Sequence, residues 1–331
     1  DTIAVNRKTW PFLNVEPRQY RFRLVNGSNA RFYDLTIVEA KTKKPTKIKD
    51  KSTMVPMFAI ATDDGYLMNA VATPNVVIGN GERYEIIVDF SAALPGDQFI
   101  MMNSARTPFP GGGKVVPGTT DRVMMFNVVA NTSGIADTTV AAGSPLRDPA
   151  TNPIVPIATG HTPMPVPPAP AVGNITRQLT LNEVIGPGGP LELVVNNSKF
   201  NLALPTPGCN TASCRETEIP QVGDTEIWEI INITADAHPM HTHLTSFQVI
   251  DRQLFDAAAW IPAYDAELLA LYPPPLDPGG KGPPRPYHVR NTDGAIGGNP
   301  PIGPFLLGAP VLPVPAELGW KDTVITYPGE V

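Results

Sequence analysis

Three of the five histidines in this chain fall within six residues, His238-Pro239-Met240-His241-Thr242-His243. Clustered imidazoles are metal-ligand chemistry. A neutral ring offers a lone pair to copper, zinc, iron or nickel alike, so residue type does not choose the ion. In an extended segment, side chains at i and i+2 share a face, which sets His241 and His243 together and turns Thr242 away. Pro239 lets the chain turn ahead of that pair, so His238 can address a different place. The spacing therefore predicts two metal addresses served by one short segment. The plainer alternative for a His-X-His pair is an ordinary solvated or hydrogen-bonded pair, and it is the third histidine that tells against it.

The elements that must position this segment read as strands. Thr225 to Ile231 precedes it and Leu244 to Ile250 follows it, both apolar or alternating in the manner of strands. Similar short runs recur at Tyr20 to Asn26, Phe32 to Val38, Met57 to Ala61, Asn75 to Ile78 and Tyr84 to Phe90. More follow at Gln98 to Met102, Arg122 to Val129, Gln178 to Asn182 and Leu191 to Val195. Long helical patterns are scarce and polar turns separate the runs, which is the rhythm of antiparallel sandwiches. With 331 residues the chain has length for about two domains.

Proline is abundant, 39 residues, and concentrates where packed structure is not expected. A stretch rich in Pro, Ala and Thr over 131–172, including Pro163 to Pro170, reads as an extended linker between a first domain, 1–130, and a second, 173–331. His161 within it reads as exposed and silent. A second irregular region, 253–318, interrupts the later domain, opening with one or two helical turns at Phe255 to Trp260. A loop of that length is usually functional or disordered, so it is expected either to flank the metal segment or to serve as a packing or subunit contact. His288, inside it, carries no expected metal role. Cys209 and Cys214 are near enough in sequence to close a small disulfide loop, with two free thiols as the alternative.

The metal segment, with Leu244 and Ser246 to Arg252 after it, resembles the His-Pro-X-His-X-His segment of the last cupredoxin domain of multicopper oxidases, in the spore-coat laccase and bilirubin oxidase branch. Val5 to Arg18 with Tyr20 to Asn26 resembles the start of that family's middle domain. Pro74 to Phe90, with Gly81-Glu82-Arg83-Tyr84-Glu85, resembles a later part of it, and Gly319-Trp320-Lys321-Asp322-Thr323-Val324 resembles the strand before the family's final copper motif. The resemblance implies two cupredoxin-like Greek-key β-sandwich domains, all-β, the second incomplete. It implies copper as cofactor, with His238 on the type 1 copper, His241 on the type 2 copper and His243 on one of the paired type 3 coppers. The implied activity is that of a laccase-like oxidase, taking single electrons from phenols, aromatic amines or tetrapyrroles and reducing oxygen to water.

The sequence departs from the family pattern in lacking both the first cupredoxin domain and the final copper segment. A blue copper site needs a thiolate, supplied in the family by a His-Cys-His segment, and neither cysteine here adjoins a histidine. The expectation is that the chain is part of a longer enzyme, whose remaining polypeptide supplies a first cupredoxin domain and the missing copper segment as partners. The competing classes are a non-catalytic cupredoxin scaffold and a copper-binding protein.

Charge and hydropathy exclude other partners. A net charge of -6 with acids and bases interspersed offers no basic stripe for nucleic acid. No apolar run approaches the roughly 20 residues that span a bilayer. There is no phosphate-cradling Gly-rich loop and no Gly-X-Ser-X-Gly elbow. The family resemblance and a possible disulfide point to an extracytoplasmic place, periplasm, exterior or spore coat.

Overall fold

Alternation along Gln19 to Val25 shows how the first half folds: Tyr20, Phe22 and Leu24 turn inward onto the core while Arg21 and Arg23 point outward to pair with Glu85 across the strands. A computed structural model describes residues 2–40, 54–135, 139–154, 175–187, 189–198, 218, 220, 225–273 and 282–331. The chain forms two compact units. The first is made of 1–155, 238–249 and 313–325; the second is made of 156–237, 250–312 and 326–331.

The first unit is a two-sheet sandwich. One sheet runs β3 (Phe12–Val15), β11 (Arg122–Val128), β10 (Gln98–Asn103), β5 (Tyr33–Glu39) and β8 (Val76–Ile78). The other runs β4 (Gln19–Val25), β9 (Arg83–Asp89), β6 (Met57–Thr62) and β7 (Gly65–Thr73). A small ribbon, β1 (Ala4–Val5) with β2 (Lys8–Thr9), precedes them. Between the sheets lie Val15, Ile37, Ala59, Val88, Phe90 and Phe126, all essentially excluded from water. Their rings interlock: the Phe90 and Phe126 centroids are 5.2 Å apart, and Phe22 meets Phe126 edge-on at 5.7 Å.

The second unit is built on β12 (Ile175–Gly186), flanked by β13 (Gly189–Val195) antiparallel and β14 (Glu226–Asn232) parallel. Helix α1 (Ala257–Leu271) belongs to it, and Trp260, Tyr264 and Leu268, four residues apart, form its buried face. With Ile231, Phe255 and Ile302 they make the unit's core. Asp256 caps the helix, its carboxylate accepting from the Ala259 N–H at 3.1 Å.

One expectation changes here. Where it is described, the region 253–318 opens with a 15-residue helix instead of one or two turns, and its segments up to residue 312 are bonded within the second unit. Gln178 N donates to Ile296 O at 2.8 Å and Ile296 N to Thr176 O at 2.9 Å, while Arg252 and Val311 form an isolated bridge. The helix was under-read because Pro262 lies inside it, and an internal proline reads as a stop.

Part of the stretch expected as linker, 139–154, is bonded to the first sandwich. Ala70 N donates to Ser144 O at 2.9 Å, Val140 and Leu146 pack on the Ile60, Ala70 and Ile87 cluster, and Arg147 Nε donates to Tyr66 O. These contacts fasten 139–154 to the first sandwich. Pro163 to Pro170, His161, Cys209 and Cys214 lie outside the described residues. Two pieces of 173–331, residues 238–249 and 313–325, belong by contact to the first unit. Those two pieces carry the histidines and their supports.

Candidate metal centre

The histidine segment forms β15 (His238–His241), which pairs with β16 (Thr323–Thr326). Three residues along a strand is about 10 Å of chain and an odd step, so His238 and His241 leave opposite faces. The expected strand over Leu244 to Ile250 does not form. Leu244 takes a left-handed backbone, φ 64°, which breaks extended geometry, and Thr242 Oγ1 closes the bend by donating to Thr245 O at 3.0 Å. Beyond the bend the chain is tied by a bridge in which Phe247 N donates to Lys321 O at 2.7 Å and Lys321 N to Phe247 O at 3.0 Å.

His241 and His243 come together as the two-residue spacing predicts, ring centroids 5.0 Å apart and planes inclined by 67°. Both are exposed. His241 Nδ1 lies 2.9 Å from the backbone O of Asp322 and 3.1 Å from Thr323 Oγ1. A carbonyl oxygen can only accept, so Nδ1 carries the proton and donates, and in the neutral ring the lone pair is left on Nε2. An imidazole whose far nitrogen is held on a carbonyl is the arrangement that metal-bound histidines use. The donor chemistry therefore fits copper at His241, with His243 beside it. Among the described residues no group of three or more His, Cys, Asp or Glu side chains is placed to hold a metal by itself. His238 stands half-buried at the start of the strand, and His288 is exposed and away from the segment in sequence.

Sequence reasoning missed the support beneath this pair. Lys321 is fully buried, with its Nζ 3.0 Å from Asp63 Oδ2 and 3.1 Å from Glu82 Oε1, two carboxylates that are themselves buried. The Tyr84 ring lies 5.2 Å from the same ammonium. Burial alone would penalise that charge, but Glu82 and Asp63 outweigh it and hold Lys321 above the ordinary lysine value. Glu82 stays above the ordinary carboxylate value because burial dominates, against the pull of Lys321, and Asp63 adds to the rise. Its other oxygen accepts from Gly79 N at 2.6 Å.

Next in the chain, Asp322 receives both arms of the Arg83 guanidinium, Nη1 to Oδ1 at 2.8 Å and Nη2 to Oδ2 at 2.5 Å. The Arg83 fork and a Thr323 hydroxyl bond pull this carboxyl down to about 2. Its backbone oxygen takes both the Thr242 N–H, at 2.9 Å, and the His241 ring. Gly319 and Trp320 complete the attachment. A Cβ on Gly319 would lie 2.7 Å from Thr62 Oγ1, and Trp320 O accepts from Thr62 Oγ1 at 3.0 Å and Asp64 N at 3.2 Å. Ser246 Oγ donates to Asp64 Oδ2 at 2.6 Å from the bend.

Gly81 to Glu85, Gly319 to Val324 and the histidine segment, noticed separately in the sequence, thus meet in one place. A family model described as "Multicopper oxidase" matches residues 185–272, which contain all three histidines. The laccase of Bacillus subtilis is 30% identical over 336 residues, covering 100% of this chain and 48% of its own length. The chain belongs to the multicopper oxidases. The bilirubin oxidase of Albifimbria verrucaria is 30% identical over 81% of the chain and 40% of its own length. The chain thus spans less than half the length of these curated relatives. In fold it is similar to the McoA multicopper oxidase of Aquifex aeolicus, TM-score 0.56 at 23% identity, covering 100% of this chain and 51% of that one. Within the described residues no helix is long and apolar enough to cross a membrane.

Proposed function

We propose that this chain is part of a laccase-like multicopper oxidase in which His238 is a type 1 copper ligand, His241 a type 2 ligand and His243 a type 3 ligand. Copper, when bound, would take electrons singly from phenols, aromatic amines or tetrapyrroles and pass them to oxygen, giving water. The chain's own part is to present imidazole nitrogens in fixed directions from one strand and its bend. His241 does this with Nδ1 committed to Asp322 O and Nε2 outward; His243 stands 5.0 Å away, ring to ring. His238, on the opposite face, serves a second address, so the short backbone between them joins the electron-accepting place to the oxygen-reducing one. The thiolate and the remaining ligands would come from further polypeptide of the same enzyme, and the protein would act outside the cytoplasm.

The observation that carries the reading is the 2.9 Å contact of His241 Nδ1 with Asp322 O beside a second histidine, within a family whose members are copper oxidases. Single substitutions in the intact protein test it. His238→Ala should abolish the blue absorption of a thiolate-bound cupric site along with substrate oxidation, whereas His243→Ala should keep the colour and lose oxygen uptake. Full turnover by both variants would refute the assignment. A copper-loaded wild type that is colourless and inert would favour the non-catalytic scaffold.

A further inference from the structure

We propose that Arg83 and Asp322, braced by the buried Lys321, are positioning residues that hold His241 in a single tautomer and a single direction; this rests on the reading of His241 as a copper ligand. Around His241 Nδ1 lie Thr323 Oγ1 at 3.1 Å and Asp322 Oδ1 at 3.3 Å, but the shortest contact, at 2.9 Å, is to backbone. The ring donates to the main chain of Asp322, so its direction is decided by where that backbone sits. Four contacts fix the backbone there. Lys321 is sunk between Asp63 and Glu82, the Asp322 carboxylate is gripped by both arms of Arg83, Thr323 Oγ1 donates to Asp322 Oδ1 at 2.8 Å, and Phe247 brackets Lys321 from the other side.

Ordinary stability does not account for such an arrangement. A buried lysine with two buried carboxylates is no more stabilising than a well-packed apolar cluster of the same volume, and often less so. What charged groups add is direction: a fork on a carboxylate has one geometry, whereas packed methyl groups tolerate slippage. Arg83 and Glu82 leave the same turn, which follows Gly79, and Asp63 leaves the β6–β7 turn. Two turns of the sandwich therefore define the seat, and the histidine strand is laid on it. Arg83 acts through Asp322 and touches neither histidine, so its role is positional.

The test uses Arg83→Gln in the intact protein, with two readouts. In the copper-free protein, 15N spectra of the histidine rings, assigned with His241→Gln, should show His241 as one species with the proton on Nδ1. In Arg83→Gln the same ring should become a mixture of both tautomers. Copper retention against a chelator should fall by about tenfold or more, the usual cost of losing a group that orients a metal ligand. Arg83→Lys restores the charge without the fork and should recover the retention in part only. Should Arg83→Gln fail to fold, Asp322→Asn, which keeps the side-chain shape, makes the same comparison. An unchanged tautomer with unchanged retention would overturn the positioning role. A wild type that shows the single tautomer yet binds no copper would overturn the copper reading and leave the positioning standing.

Discussion

The two segments that carry the histidines and their supports, and the region that carries α1, are held by different balances of contact. Residues 238–249 and 313–325 are fastened by directed polar contacts, above all Lys321 between two carboxylates and Asp322 on Arg83. In residues 255–302 the core is apolar and aromatic, with Trp260 and Tyr264 stacked at 5.2 Å and Phe255 edge-on to Trp260 at 6.0 Å; polar contacts accompany it at the Arg285–Glu267 fork and at buried Asn299. The difference lies in what each kind of contact supplies. Packing supplies free energy without a preferred direction. Charge pairs supply direction at a desolvation cost that consumes most of their gain.

Breaking that comparison should give unequal effects. Lys321→Met removes one buried charge and leaves Asp63 and Glu82 facing each other, so it should cost about 3–5 kcal/mol in denaturant unfolding. Adding Asp63→Asn and Glu82→Gln should recover more than half of that loss, because the uncompensated charges go with it. Failure to recover would mean that the charges themselves stabilise the unit. In the other region, Trp260→Ala should cost about 3–5 kcal/mol with no polar rescue available, since its loss is a cavity.

Gly297→Ala comes next. Its φ of 123° is strained for any side chain, and a Cβ would sit 2.0 Å from Gln178 O, so the pairing of 296 with β12 must shift. A loss of about 1–3 kcal/mol or more is expected, and hydrogen exchange should quicken at Gln178 before it does at Phe126.

The smallest effect concerns Tyr264. Burial pushes its hydroxyl from the ordinary 10 up to about 12. The neutral phenol is retained in the folded protein while the unfolded one ionises, so this contribution is complete below pH about 10 and is lost as pH rises towards 12. Tyr264→Phe should change stability at neutral pH by less than about 1 kcal/mol and flatten part of that alkaline decline. A decline equally steep in the variant would assign it to other groups.

Much of the sandwich was legible because its strands are rich in β-branched and aromatic residues: the runs at Tyr20, Tyr84 and Arg122 reappear as β4, β9 and β11 within a residue or so at each end. β7 was not, since Gly65-Tyr66-Leu67-Met68-Asn69-Ala70 neither alternates nor favours strand locally, and its place is set by pairing with β6. Pro262 hid the length of α1, and Leu244 gave no sign of the left-handed bend that ends the histidine strand. The neighbouring of His241 and His243 could be read from spacing alone. Their seat could not, because Asp63-Asp64-Gly65 reads locally as nothing more than a turn. Its bond to Lys321, 258 residues later, exists only once the sheet edges have met.

The account rests on the imidazoles of one strand and bend reaching two copper addresses. A crystal structure of the intact, copper-loaded protein, with anomalous data collected at the copper edge, tests this most directly. The account predicts one peak bonded to the His238 ring and separate peaks bonded to His241 Nε2 and to the His243 ring, with His241 Nδ1 still on Asp322 O. A map with no copper at any of these three rings would contradict it.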